Sequence, residues 1–325
     1  MSGNDPSARR ARLLERRNQL SEEQRRLLDQ RLRGASPAVS PAPAAARCLV
    51  EITPSGASSR PPFFCVHPAG GDVLCFFPLA RHLGLDQPFY GFQARGLEDE
   101  SQPFATLEEM AAHYVSEIRR VQPAGPYRLG GWSFGGLAAF EMARQLAGES
   151  EQVAFLAVLD TAPGIPAEEA AKGADQPTQE GDTPWLLTIA EYVRGLRGAD
   201  LRVTAEQLAP LPPEERLRAF VDRLRAAGVV HADEDGLGQL RRLLGVFKAD
   251  VRAYRDYRPQ PYPGPVSLFR AGGAEFDPSL GHDLGWGRLT PRPVEVYELP
   301  GDHITLMAEP NVAALAGRLR ACLDG

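Results

Sequence analysis

A serine flanked by glycines lies near the middle of the chain, in the sequence Gly131-Trp132-Ser133-Phe134-Gly135. This G-x-S-x-G pattern is typical of a nucleophilic serine when a strand precedes it and a helix follows it. Residues 127–131 have a strand pattern and residues 134–146 a helical one. In such a turn the glycines avoid backbone collisions, and the helix N-terminus favours developing negative charge. Ser133 is therefore the candidate nucleophile.

A serine hydroxyl is a weak nucleophile near neutral pH, so a histidine must accept its proton. In α/β-hydrolases, which use this kind of turn, the histidine comes late in the chain, after the last strand. His303 fits this position, because it follows a predicted strand over residues 294–299. His282 is the second candidate. His67 precedes the serine, and we expect it to be a hydrogen-bonding loop residue beside the site.

An acid must in turn orient the histidine, and three aspartates are candidates. Asp160 ends the apolar strand Val153–Leu159, which follows the nucleophile helix and anchors the acid firmly. Asp277 follows the next strand, where most α/β-hydrolases keep their acid, but it lies in a glycine-rich loop. Asp302 is adjacent to His303, and chain neighbours rarely point at each other. We favour Asp160 and keep Asp277 as the alternative.

The negative charge that forms on an attacked carbonyl needs two preorganised hydrogen-bond donors. One is the backbone N–H of the residue after the nucleophile, here Phe134. The other comes from the loop after an early strand, and His67-Pro68-Ala69-Gly70-Gly71 follows the apolar strand Phe63–Val66. The N–H of Ala69 is our candidate for this second oxyanion donor.

Strand and helix patterns alternate from Cys48 onward, which predicts an α/β fold with a doubly wound, mostly parallel sheet. The apolar run Val153–Leu159 is typical of a central strand that is covered on both faces. Between about residues 167 and 256 the alternation stops, and helical patterns replace it. An insertion of about 90 residues over an active site is usually a lid. We therefore expect a helical lid in this segment.

Composition and charge narrow the classes of function. The net charge is −6, and residues 1–47 hold ten arginines against five acids, so the remainder has −11. An acidic body disfavours nucleic acid as the main partner. No apolar run approaches the ~20 residues that span a bilayer, and no secretory signal is visible, so we expect a cytoplasmic protein. The four cysteines show no CxxC spacing, which favours reduced thiols.

Residues 1–47 differ from the body of the chain, which we place at residues 48–325. Residues 8–33 have a helical pattern with a capping box at Ser21 and Gln24, and residues 35–47 form a linker rich in alanine and proline. This helix is too weakly apolar to be buried by itself. It is either a docking element or a solvated tail, and the sequence leaves both open.

Three motifs resemble the type I thioesterase domains of nonribosomal peptide and polyketide synthetases. They are His67-Pro68-Ala69-Gly70-Gly71, Tyr90-Gly91-Phe92-Gln93-Ala94-Arg95-Gly96 and Gly130-Gly131-Trp132-Ser133-Phe134-Gly135-Gly136. The resemblance runs from about Cys48 to the C-terminus. In that family the acid follows the strand after the nucleophile helix, as Asp160 does. The family's late histidine matches His303, its first oxyanion donor matches Ala69, and a helical lid is usual.

The resemblance implies two acyl transfers. Ser133 would take an acyl chain from the phosphopantetheine thiol of an acyl or peptidyl carrier domain. Water or an internal hydroxyl or amine would then release it as an acid or a ring. Because the phosphopantetheine belongs to the carrier, we expect this chain to bind no cofactor of its own and no metal.

Other functions stay open. Free-standing type II editing thioesterases resemble the chain less, because their acid follows the later strand and their lid is smaller. Type I domains usually follow a carrier domain, and the sequence before residue 48 has no carrier pattern, so we expect either a protein that acts in trans or an excised piece. A small-ester hydrolase, or a non-catalytic protein that recruits a carrier through residues 1–33, is also conceivable. Residues 129–133 resemble a carrier's L-G-G-x-S site, but a carrier serine does not follow a parallel strand.

Deleting residues 1–40 tests the role of the N-terminal segment. Because the linker separates the segment from the body, hydrolysis of a small soluble thioester should stay within about threefold. Turnover of a carrier-bound substrate should fall further, and salt should reduce the full-length protein's advantage, since exposed charges are screened over ~10 Å at 0.1 M. Equal loss on both substrates would show that the helix packs on the body. No loss on either would make it a solvated tail.

Overall fold

The computed structural model describes residues 48–53, 59–164, 181–231, 235–273, 276 and 278–325. The described residues form one sheet of seven strands in the order β1-β3-β2-β4-β5-β6-β7. The strands are β1 Leu49–Thr53, β2 Phe63–Val66, β3 Phe89–Phe92, β4 Tyr127–Trp132, β5 Val153–Leu159, β6 Ser267–Ala271 and β7 Glu295–Leu299. β1 is antiparallel to β3, and the other neighbouring pairs are parallel. The predicted α/β fold with a doubly wound, mostly parallel sheet is confirmed.

Eight helices occur in the described ranges. They are α1 Phe76–Leu83, α2 Leu107–Val121, α3 Phe134–Gly148, α4 Thr183–Arg197, α5 Ala205–Leu208, α6 Pro213–Ala226, α7 Gly236–Asp256 and α8 Asn311–Asp324. None of these helices is both long enough and apolar enough to cross a membrane. Helix α2 begins after Thr106, whose side chain caps it by accepting a hydrogen bond of 3.2 Å from the backbone N–H of Glu109.

Helices cover the sheet on both faces. Along β5, Leu156 and Val158 point into the layer that contains α2 and α3, whereas Ala157 and Leu159 point into the layer of α1 and α8. This alternation follows from the pleat of a strand, in which successive side chains leave opposite faces. Because both faces are covered, a central strand must be apolar throughout, as its sequence is.

The segment between β5 and β6 contains α4 to α7, which we call the helical insertion. It has an apolar core of its own, to which Leu186, Phe220 and Leu240 belong. Residues 165–180 and 232–234 of this segment lie outside the described residues, as do residues 1–47 and Asp277. The lid function of the insertion, the N-terminal helix and the linker therefore stay predictions.

Helix α3 approaches the sheet so closely that two positions have room only for glycine. A Cβ on Gly135 would lie 2.1 Å from the carbonyl oxygen of Val66, and one on Gly131 would lie 1.9 Å from that of Gly135. Backbone atoms cannot yield as a flexible side chain can. The glycines that flank Ser133 are thus required by the contact of α3 with β2 and β4.

Gly135→Ala should lower the free energy of unfolding by about 3 kcal/mol or more, because the new methyl group must displace backbone. Gly148→Ala is the matched control in the same helix, since a Cβ added there would meet no heavy atom within 4 Å. That change should be neutral or add up to about 1 kcal/mol, because alanine favours helix over glycine. Denaturant unfolding of both variants measures the difference. A Gly135→Ala protein as stable as the wild type would contradict the close-contact explanation.

Candidate active site

Ser133 sits in the turn between β4 and α3 with φ of 55° and ψ of −128°. A positive φ is unusual for a residue other than glycine and costs of the order of 1–3 kcal/mol. Three hydrogen bonds hold the serine backbone in this conformation. Its N–H donates to the Leu159 carbonyl at 3.0 Å, and its carbonyl accepts from the Gly136 N–H at 2.8 Å and the Thr161 hydroxyl at 2.6 Å. The turn therefore fixes the direction of the serine side chain.

The imidazole of His303 lies between Ser133 and Asp160. Its Nε2 is 3.0 Å from the Ser133 Oγ, and its Nδ1 is 2.8 Å from Oδ2 of Asp160. A carboxylate only accepts hydrogen bonds, so the proton is on Nδ1, and the Nδ1–H group donates a hydrogen bond to Asp160. The lone pair of Nε2 then faces the serine hydroxyl. This is the tautomer in which His303 can accept the serine proton.

Asp160 is held between two strands. Its carboxylate is fully buried, and Oδ1 accepts a hydrogen bond of 2.7 Å from the backbone N–H of Ala271 at the end of β6. Its own N–H donates to the Phe269 carbonyl at 2.8 Å, and its φ is 53°. A buried carboxylate is costly unless it is hydrogen-bonded. Each of its oxygens has a partner here, so the acid is both satisfied and oriented.

The other candidate acids and bases lie elsewhere or outside the described residues. Asp302 turns back on its own loop, where the N–H groups of Thr305 and Ile304 lower its pKa. His282 is at the surface, with its Nδ1 3.8 Å from Glu298. Asp277 is not among the described residues. Of the described candidates, the structure brings together the three that we favoured.

Trp132 contacts His303 through both its indole N–H and its ring, and the sequence did not predict these contacts. Its indole Nε1 donates to the His303 carbonyl at 3.1 Å, and the two rings pack with centroids 5.7 Å apart. The indole also packs against Tyr192 of α4, at 5.8 Å. Trp132, the residue before the nucleophile, therefore connects the loop that contains His303 to the helical insertion.

The two predicted oxyanion donors come from neighbouring elements. Phe134 is the first residue of α3, and Ala69 lies in the loop after β2, which we call the oxyanion loop (residues 67–71). β2 and β4 pair in parallel with Val66 opposite Gly131, so the loop and the serine turn share one edge of the sheet. The ring of Phe134 stacks on that of His67 at 5.9 Å. The donor roles of Phe134 and Ala69 stay predictions.

His67 is buried and shapes the oxyanion loop. Its Nδ1 lies 2.8 Å from the Pro68 carbonyl, and its Nε2 lies 2.9 Å from the Tyr114 hydroxyl. Burial lowers the pKa of His67 to about 4, so the ring is neutral near neutral pH. A neutral ring donates a hydrogen bond from Nδ1–H to the Pro68 carbonyl, and its Nε2 accepts a hydrogen bond from the Tyr114 hydroxyl. This agrees with the hydrogen-bonding loop residue that we expected.

A cavity of about 1250 Å³ opens between the oxyanion loop, the start of α1 and the helical insertion. Its walls are mainly apolar and include Ala69, Leu74, Phe77, Ile189, Leu196, Leu243 and Phe247. Tyr192 also lines it; burial raises the pKa of this phenol, and a hydrogen bond with Ser133 acts in the opposite direction. The cavity thus reaches, through Tyr192, the nucleophile turn. Its size and mainly apolar lining leave room for a large apolar group.

The described residues contain one group that resembles a metal site. The ligand atoms of Cys48, His113 and Glu117 lie within 4.8 Å of one another. Glu117 already accepts the backbone N–H groups of Cys48 and Leu49, at 3.0 and 2.8 Å, which ties β1 to α2. Burial raises the pKa of the Cys48 thiol to about 12. The hydrogen bonds that Glu117 accepts from the start of β1 give this residue a structural role.

Comparison with known protein families agrees with the geometry of the site. A family model described as "Thioesterase domain" matches residues 61–323. The chain belongs to this family. The match covers six of the seven strands, β2 to β7, and extends into α8, and it includes Ser133, Asp160 and His303.

Relatives of this thioesterase domain are large synthetases. The dimodular nonribosomal peptide synthase of Bacillus subtilis (strain 168) is 35% identical over 225 residues, which are 69% of this chain and 8% of the relative. Chondramide synthase cmdD of Chondromyces crocatus is 32% identical over 270 residues, 82% of this chain and 7% of the relative. The chain thus spans less than a tenth of the length of these two proteins. The predicted resemblance to synthetase thioesterase domains is confirmed.

Solved structures show the same fold. The Vlm2 thioesterase domain superposes with a TM-score of 0.60 at 25% identity, covering 84% of this chain and 96% of that one. The NocB thioesterase domain, in covalent complex with a fluorophosphonate nocardicin G analog, gives 0.56 at 25% identity, covering 85% and 100%. Within a four-domain nonribosomal peptide synthetase, holo-AB3403, the match reaches 0.74 at 30% identity, covering 85% and 20%.

Asp160→Asn should preserve the fold of the thioesterase domain but lower kcat by several orders of magnitude, because an amide can donate to Nδ1 and favours the wrong tautomer of His303. Turnover of an acyl thioester by the purified variant measures this. Asp277→Asn and Asp302→Asn are matched controls and should change kcat little. Loss of activity in Asp277→Asn with retention in Asp160→Asn would move the acid to the later strand and favour the type II alternative.

Proposed function

We propose that this thioesterase domain releases a peptide or polyketide acyl chain from the phosphopantetheine thioester of a carrier domain, through an acyl-enzyme on Ser133. The observation that supports this most directly is the hydrogen-bonded series Asp160–His303–Ser133, with contacts of 2.8 and 3.0 Å. The apolar cavity of about 1250 Å³ beside it provides room for the chain. Neither feature has a purpose in a protein that only recruits a partner.

In the first transfer, the Oγ of Ser133 attacks the thioester carbonyl while Nε2 of His303 takes the hydroxyl proton. The imidazolium is stabilised by the fully buried carboxylate of Asp160. The N–H groups of Phe134 and Ala69 would bind the oxyanion of the tetrahedral intermediate. Collapse of the intermediate breaks the carbon–sulfur bond, and Nε2 returns the proton to the departing thiolate. The acyl chain is then an ester of Ser133.

In the second transfer, a new nucleophile approaches the ester and loses its proton to Nε2 of His303. Water gives the free acid, and a hydroxyl or amine of the same chain gives a ring. The His303 side chain is 36% exposed, so water reaches the base in this conformation. A chain that folds within the cavity would exclude that water, because the walls are mainly apolar.

A carrier domain as partner follows from the family rather than from the geometry. The relatives are multidomain synthetases, and one solved match is the thioesterase part of a four-domain synthetase. The phosphopantetheine arm that delivers the substrate belongs to that carrier. We propose that the chain itself needs no cofactor for the chemistry of Ser133.

Ser133→Ala should abolish acyl-enzyme formation and leave the fold intact, because the change removes a single side-chain oxygen. Intact-protein mass spectrometry after incubation with acyl-pantetheine thioesters of several lengths measures the added acyl mass, and the products are scored as free acid or ring. A fluorophosphonate probe gives an independent measure of an activated serine. Ser133→Cys is the matched control, since a thiol can still be acylated. Persistent acylation of Ser133→Ala, or no acylation of the wild type by any thioester, would reject the assignment.

A further inference from the structure

Asp250 is a buried acid that the acyl-transfer mechanism does not use. It lies in α7 of the helical insertion and is 1% exposed. Its Oδ2 accepts a hydrogen bond of 3.0 Å from the backbone N–H of Gly70, in the oxyanion loop. The two residues are 180 positions apart in the chain. The contact therefore joins the insertion directly to the loop that contains Ala69.

The surroundings of Asp250 give it little other support. Burial raises its pKa well above the usual range of an aspartate, and the Gly70 N–H acts against that shift. His67 approaches with its Nδ1 4.0 Å away, but that nitrogen donates to the Pro68 carbonyl at 2.8 Å, and burial keeps the ring neutral. An acid at such a place costs stability compared with an apolar residue. The specific contact that Asp250 makes is the hydrogen bond that it accepts from the Gly70 N–H.

The oxyanion loop is held from inside and from outside. Inside it, the Pro68 carbonyl accepts the Gly71 N–H at 3.0 Å and the His67 Nδ1–H at 2.8 Å, which closes a turn around Ala69 and Gly70. Gly70 and Gly71 have φ of 99° and 83°, a region that favours glycine. On the sheet side, the Gly71 carbonyl accepts the Ala94 N–H at 2.9 Å. On the other side, Gly70 contacts Asp250, Leu243 and Phe247 of α7. The peptide between Ala69 and Gly70 is therefore held by α7 as well as by the turn itself.

We propose that Asp250 is a positioning residue for the oxyanion hole. By accepting the Gly70 N–H, it holds the Ala69–Gly70 peptide at the centre of the Pro68–Gly71 turn and so restricts the backbone rotation of Ala69, whose own N–H lies in the preceding peptide. Full oxyanion stabilisation then requires α7 to be docked on the loop, which couples the seating of the helical insertion to catalysis. This inference rests on the proposed function, since it needs Ala69 to serve as an oxyanion donor.

Two ligands separate a positioning role from a merely structural one. A trifluoromethyl ketone with a short acyl chain adds to Ser133 and places an oxyanion in the hole, whereas the matching carboxamide binds without forming one. Asp250→Leu should weaken the ketone by about 10- to 100-fold, with kcat/KM for a thioester falling in parallel, because a displaced donor loses much of its effect. Affinity for the carboxamide should stay within about threefold, because its binding does not depend on the oxyanion.

Asp250→Asn keeps an acceptor oxygen in place and should behave as the wild type. Asp250→Ala also removes the acceptor and replaces the leucine variant if that protein does not fold. Phe220→Leu is the control for a general loss of stability that leaves the Asp250–Gly70 contact in place, since Phe220 is buried in the insertion's core and is not part of the cavity wall. It should lower the melting temperature without changing the ratio of ketone to carboxamide affinity.

Wild-type ketone affinity in both Asp250→Leu and Asp250→Ala would overturn the positioning role while leaving the proposed function intact. An equal loss in Asp250→Asn would overturn it too, because the hydrogen-bond acceptor would then not be what matters. A wild-type protein that forms no adduct at Ser133 would instead reject the proposed function itself, and this inference with it.

Discussion

The turn at Ser133 depends on how closely helix α3 approaches strand β2. Because Gly135 has no side chain, the first turn of α3 can lie against the Val66 carbonyl, at a distance that any Cβ would prevent. The close approach forces the residue before the helix into a positive φ, and hydrogen bonds from Thr161 and Gly136 to the Ser133 carbonyl retain it there. The packing of α3 on β2 and these two hydrogen bonds thus place the half-buried serine at the helix N-terminus, before any catalytic partner is considered.

Parallel strands then bring the partners to the same edge. Asp160 follows β5 and His303 follows β7, while Ser133 follows β4, and the carboxyl ends of parallel strands meet at one side of a sheet. Each partner is further held by hydrogen bonds. Asp160 is bonded to the backbone of Ala271 and Phe269 in β6, and the carbonyl of His303 accepts the Trp132 indole N–H. Because the β6 backbone and the buried Trp132 side chain make these contacts, the hydrogen-bonded series is preorganised.

The helical insertion contacts this edge at two places. Tyr192 of α4 packs on Trp132 and reaches Ser133, and Asp250 of α7 holds Gly70. An ion pair between Lys248 of α7 and Asp182, next to the start of α4, connects the two helices. Both helices also form walls of the cavity. The element that forms much of the cavity wall is therefore the same element that contacts Trp132 and the oxyanion loop.

The sequence by itself predicted Ser133 as the candidate nucleophile, because the glycines that the turn requires lie within two residues of it. A strand pattern and a helix pattern flank this turn. The sequence also identified His303, since chain order after the last strand leaves few histidines, and β5, because a strand covered on both faces must be apolar throughout. Asp160 could be preferred but not decided, because orientation depends on contacts with β6, more than 100 residues away in the chain. The roles of Trp132 and Asp250 were not visible at all. Their partners lie 171 and 180 positions away, and neither a tryptophan at the end of a strand nor an aspartate on a helix has a periodic signal that reveals such a contact. Local backbone geometry was readable from residue types, whereas pairings across the sheet and the insertion were decided by tertiary packing.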